Sequence, residues 1–89
     1  MPDLTVRLPP ALLRLFPGSE AEPTVSASTV AGIVEALDRR WPGMRDRLCD
    51  STPAIRRHMN VFVDGERATL ATPVTAHSDV FIMTAISGG

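Results

Sequence analysis

Apolar and polar positions change period several times along this chain, and each change marks an element. In "DLTVRLP" Leu4, Val6 and Leu8 alternate with Thr5 and Arg7, the period of two that a strand with one buried face requires. Pro9 and Pro10 end that strand, and the stretch that follows reads as a long loop with a turn at Pro17 and Gly18. Leu12, Leu13 and Phe16 tether the loop to the core. "TVSA" is a second short strand. From Ser28 the period lengthens: Val30, Ile33, Val34, Leu37 and Trp41 share one helical face, with Ser28 or Thr29 placed to cap the free amides. Arg39 and Arg40 suit the carboxyl end of that helix, and Pro42-Gly43 stops it. "MRDRLCD" forms a short helical turn and "STPA" opens a polar connection. "HMNVFVDGERATL" reads as a hairpin, with Met59, Val61 and Val63 alternating, the turn at Asp64-Gly65 and a return strand from Glu66. "TPVTAHSD" is a turn-rich link, and residues 80–85 make a last strand, apolar on both faces, which suits the middle of a sheet.

The order is therefore strand, strand, helix, hairpin, strand. One helix with a single apolar stripe can cover one face of a mixed sheet of four or five strands, and that α+β arrangement is a β-grasp fold. The first and last strands then lie side by side and parallel. Residues 1–85 form the domain, and 86–89 project from it as a flexible tail.

Composition narrows the function. With 89 residues the chain holds one small core. The net charge of -1 argues against nucleic acid, because phosphate binding needs a basic excess. All nine basic residues are arginine, so no lysine-linked chemistry is open to this chain. Cys49 stands alone, and His58 and His77 lack a ligand spacing, so neither a disulfide framework nor a metal site is expected. The first ten residues do not make a signal peptide, and no apolar run is long enough to span a bilayer, so a cytoplasmic setting without membrane contact is expected.

The chain ends "TAISGG". If the last strand is locked in the sheet, Ile86, Ser87, Gly88 and Gly89 reach about 13–14 Å beyond the body, far enough to enter another protein's active site. Glycines lack a Cβ and pass a narrow channel. The reacting group is then the Gly89 carboxylate. A carboxylate is a poor electrophile, so a partner must activate it with ATP and magnesium as an acyl-adenylate, which a sulfur nucleophile can capture as a thiocarboxylate. No catalytic side chain is needed here.

"TVAGIVEALDRRWPGMRDRL", "IRRHMNVFVDGE" and the closing strand with "GG" resemble the MoaD/ThiS family of ubiquitin-like sulfur carriers over nearly the whole chain. The resemblance implies a β-grasp fold, no bound cofactor, and a thiocarboxylate at Gly89 beside Gly88. It implies three partners: an adenylating enzyme of the ubiquitin-activating type, a sulfur donor (a persulfide enzyme or sulfide), and an acceptor. The acceptor would be a cysteine synthase, a molybdopterin synthase large subunit or a thiazole synthase. Such a protein is a carrier or small subunit, not an enzyme. Thr84 stands where many relatives have proline, and "AHSD" replaces an Asp-Gly-Asp type of turn.

Docking needs a surface. Alternation places Leu4, Val6, Val61, Val63, Val80 and Ile82 toward the helix, which leaves Phe62, Phe81 and Met83 on the open face near the tail. With Ile86 and Ser87 these are the expected partner contacts. Cys49 reads as a small core residue, the two histidines as solvated, and Arg56 and Arg57 as a charged face. Two other functions stay open at this point: a protein modifier that forms amide links through Gly89, and a non-covalent interaction module.

Overall fold

A computed structural model describes residues 2–52 and 54–84. Its elements run β1 (Asp3–Arg7), α1 (Pro10–Leu15), β2 (Thr24–Ser26), α2 (Val30–Arg40), α3 (Met44–Leu48), β3 (Met59–Val63), β4 (Glu66–Arg67) and β5 (Val80–Thr84). The five strands form one sheet in the order β2-β1-β5-β3-β4. β1 and β5 pair in parallel, with Val6 opposite Val80, while every other pair is antiparallel. The expected parallel pairing of first and last strands is thus present, and β5 is the central strand.

Alternation sets which face is covered. Leu4, Val6, Val25, Val61, Val63, Val80 and Ile82 are all buried on one face of the sheet. They meet Val30, Ile33, Val34 and Leu37, the buried stripe of α2. Each such aliphatic side chain taken out of water contributes about 1.5–3 kcal/mol. Thr29 caps α2, its hydroxyl accepting from the Gly32 amide at 3.1 Å, so of the two candidates Thr29 is the cap. At the other end Asp38 Oδ1 accepts from the amides of Gly43 and Arg45 and joins α2 to α3. Gly43 has φ +98°, a left-handed geometry in which a side chain is strained. Residues of the link before β5 tie down the start of α2, with Val30 donating to Thr72 and Ala31 to Leu70.

One expectation needs correction. The stretch after Pro9-Pro10 is not wholly loop: Pro10 opens the short helix α1, whose Leu12 is buried. Proline ends a strand because it lacks an amide donor, and for the same reason it fits the first turn of a helix. β5 is apolar on both sides but buried on only one, its burial alternating through Val80–Thr84. A central strand in a sheet with one open face needs only half of its side chains covered. Trp41 closes α2 as its C-cap and, half-buried, packs against the core as its helical spacing implies, with the Arg40 guanidinium 4.5 Å from its ring.

Candidate functional site

The open face of the sheet carries a row of side chains that crosses four strands. Arg7 on β1 lies opposite Phe81 on β5, Phe81 opposite Phe62 on β3, and Phe62 opposite Arg67 on β4. Two residue pairs further along, toward the end of β5 and on the same face, Met83 lies opposite Asn60. Two aromatic rings and a thioether are therefore flanked by a cation on each side. Phe81 is 37% exposed and Met83 39%, large values for side chains of this size on a central strand, while Phe62 is half-buried. Phe62, Phe81 and Met83 line a shallow, mostly apolar groove of 270 Å³ with Gly65 and Asp79 at its rim.

The rim is ordered by local chemistry. Asp64 and Gly65 both have positive φ, 53° and 85°, as a two-residue hairpin turn demands. The Asp64 amide donates to the Asp79 carbonyl at 2.9 Å, and the Asp79 amide donates back to Asp64 Oδ1 at 2.9 Å. Arg7 lies 3.8 Å from Asp79 and 3.9 Å from Glu22, with its guanidinium 5.9 Å from the Phe81 ring centre. These exposed ion pairs contribute little to stability, at most about 1 kcal/mol each, but they fix where the charge sits. Arg67 donates to the Asn60 side chain across the other edge.

Of the residues picked from the sequence, Phe62, Phe81 and Met83 are brought together on one face. Ile86, Ser87, Gly88 and Gly89 lie outside the described residues, as does Ala85 of the expected last strand. Arg7 and Arg67 were missed as members of the row, although Arg7 already stood on the outward side of the first strand's alternation. Cys49 is buried at the end of α3, and burial raises its thiol pKa above the ordinary value, so it is a neutral core thiol at neutral pH. His58 and His77 are exposed. Among the described residues no group of three metal-binding side chains occurs, and no helix is long and apolar enough to cross a membrane.

No family model matches the chain. It is 29% identical over 98% of its length to the "Sulfur carrier protein CysO" of Mycobacterium tuberculosis and of Mycobacterium bovis, and the match covers 99% of each relative. Among solved structures it superposes on a chain of the Amycolatopsis orientalis BexX/CysO complex. That match has TM-score 0.82 and 28% identity and covers 97% of this chain and 99% of that one. Over nearly its whole length the chain is thus similar in sequence and in fold to CysO sulfur carriers. Mycobacterium tuberculosis CysO itself superposes with TM-score 0.80 at 26% identity, over 93% of this chain and 99% of that one. SAMP1 of Haloferax volcanii, at TM-score 0.76 and 24% identity over 98% of this chain and 99% of that one, shares the fold.

Proposed function

We propose that this protein carries sulfur for cysteine biosynthesis on the carboxylate of Gly89. The observation that carries the reading is the end-to-end similarity to CysO sulfur carriers, which leaves no large part of either chain unmatched. A partner adenylates Gly89: a carboxylate oxygen attacks the α-phosphate of ATP, pyrophosphate leaves, and magnesium on the partner offsets the charge. Sulfide then attacks the acyl carbon and displaces AMP, which gives the thiocarboxylate. This chain's own part is to present Gly88 and Gly89, narrow enough for the partner's channel, on the end of the central strand.

Phe62, Phe81 and Met83 form the docking patch for the activating and accepting partners, with Arg7 and Arg67 setting orientation, and Ile86 and Ser87 extend the contact. An exposed aromatic cluster with charged flanks has the composition of an interface centre. The BexX/CysO complex supports the idea that a carrier of this fold is recognised by a separate protein. The solitary buried Cys49 agrees with a reducing, cytoplasmic setting. The likeness to SAMP1 is one of fold and does not favour the modifier reading.

The test is reconstitution with the adenylating enzyme of the same genome. Pyrophosphate release must depend on the carrier and cease when Gly88 and Gly89 are removed. Phe81→Ala should raise the enzyme's KM for the carrier about 30-fold with kcat little changed, the loss expected for an interface anchor worth about 2 kcal/mol. Pyrophosphate release that persists without the two glycines would refute the proposal.

A further inference from the structure

The end of β5 is the root from which the chain runs on to Gly89, and the surface around that root decides what an activated Gly89 can meet within its own chain. Residues 85–89 span at most about 17 Å, at about 3.4 Å per residue. Met59 lies opposite Thr84 at the root, and Asn60 opposite Met83. Arg57 and His58 immediately precede Met59 and are exposed, and the Met59 amide donates to the Arg56 carbonyl at 2.9 Å. Arg67, also exposed, donates to the Asn60 side chain. Three guanidinium groups and one imidazole therefore stand within the span of those five residues.

An acyl-adenylate or a thioester is captured fastest by amines and thiolates. This chain has no lysine, although it is not poor in cations here: residues 39–57 hold six of its nine arginines. A guanidinium stays protonated and delocalised, so it supplies the charge of an ammonium group without ever exposing a nucleophilic lone pair. The one thiol, Cys49, belongs to the same neighbourhood, since it pairs with Ile55 and lines a cleft with Arg56. Only 5% of Cys49 is exposed, and burial raises its pKa, so the attacking thiolate is scarce. His58 forms only an acyl-imidazole, which water returns to the free acid.

The sheet takes the remaining amine out of range. β1 and β5 are parallel, with Arg7 opposite Phe81, so β1 starts at the end of the sheet far from the root. The Ala27 amide donates to the Pro2 carbonyl at 3.0 Å, which holds the chain in line with β1 back to Pro2. Pro2 lies five residues before Arg7 and Thr84 three residues after Phe81, and this offset of eight residues comes to about 26 Å at about 3.3 Å per residue. That exceeds what residues 85–89 can span.

We infer that this chain is inert toward its own activated C-terminus: the acyl group of Gly89 passes to an external nucleophile, because its own body presents no amine and no open thiol within reach and a second copy offers no lysine. Arg57 and Arg67 keep it so by placing charge at the root without an acceptor. In the step that is excluded, an amine nitrogen would bond to the Gly89 carbonyl carbon as the bond to AMP or a thiol breaks, and the nitrogen would lose a proton to the leaving group. This inertness rests on the reading that Gly89 is activated, and it adds that copies of the chain are not linked to one another through their side chains.

The experiment uses the full chain with Gly89 converted to an aryl thioester by intein cleavage. Activation then needs no partner, so a failure here is distinct from a failure of adenylation. In mildly alkaline buffer the wild type should give only the free acid, and added sulfide should convert the thioester to the thiocarboxylate. Arg57→Lys and Arg67→Lys should each give an internal amide, read by mass spectrometry as loss of the aryl thiol and mapped to position 57 or 67. At about 0.01 mM protein a tethered amine acts at about millimolar effective concentration, so the yield should exceed that of Ser26→Lys at least about tenfold. Ser26 pairs with Asp3, at the far end of the sheet. An internal amide, a thioester at Cys49 or covalent dimers in the wild type would overturn the inference. So would amide yields from Arg57→Lys and Arg67→Lys no higher than from Ser26→Lys. Failure of sulfide to capture the wild-type acyl group would overturn it as well, because the terminus would then be shielded rather than lacking an acceptor.

Discussion

Phe81 and Ile82 are neighbours on β5 with opposite fates, and truncating each to alanine tests the face assignment on which the docking patch depends. Ile82 is 1% exposed, opposite Val61 and against the α2 stripe, so Ile82→Ala removes packed methyl groups and leaves a cavity. Losses of that kind run to about 2–5 kcal/mol, and the central position of β5 places this one near about 3.5 kcal/mol. Phe81 is partly open to solvent and lies opposite Phe62, with the Arg7 guanidinium near its ring. An aromatic pair and an exposed cation–π contact together come to about 1.5 kcal/mol. A domain of this length holds about 5–13 kcal/mol in total, so both variants stay folded in buffer. In guanidinium chloride, with a slope of about 2 kcal/mol per molar, the midpoint should drop by about 1.7 M for Ile82→Ala and about 0.7 M for Phe81→Ala. Equal drops, or a larger one for Phe81→Ala, would refute the assignment of faces and remove the patch from the account.

The other predictions follow from single groups. Thr29→Ala should destabilise the fold by about 1 kcal/mol and Thr29→Ser by much less in the same unfolding assay, because the hydroxyl is the N-cap of α2. The Asp50 carboxyl is held below the usual carboxylate range, chiefly by the Thr52 hydroxyl and then the Thr52 amide. A depressed folded pKa contributes stability above the unfolded pKa that is lost as pH falls through the folded one. Thr52→Val should therefore move the Asp50 transition, followed by carboxyl NMR, upward toward the ordinary value. Cys49, buried with its thiol pKa raised by desolvation, should react with a disulfide reagent at neutral pH far more slowly than a free thiol, and Cys49→Ala should leave thiocarboxylate formation intact.

Much of this architecture was legible because the sequence obeys its periods. Strict alternation in Leu4, Val6 and Leu8 and in Met59, Val61 and Val63, with the change to helical spacing at Val30, places strands, helix and faces correctly. Phe81 and Met83 were assigned to the open face by alternation alone, and their exposure agrees with it. What was not legible has physical causes. A proline pair both ends a strand and opens a helix, and only the burial of Leu12 against the core decides in favour of α1. The Arg7–Phe81–Phe62–Arg67 row depends on register across four strands, which no single segment contains.

The measurement that bears most directly on the central claim is fragment mass spectrometry of the C-terminal peptide. The protein would be taken from its native source and treated with an alkylating reagent that traps nucleophilic sulfur. Fragmentation is needed because exchange of oxygen for sulfur nearly matches the mass of one methionine oxidation, and Cys49 also carries a thiol. The account predicts alkylated sulfur on the acyl carbon of Gly89. A Gly89 found only as free carboxylate, even after supply of the adenylating enzyme, ATP, magnesium and sulfide, would contradict it.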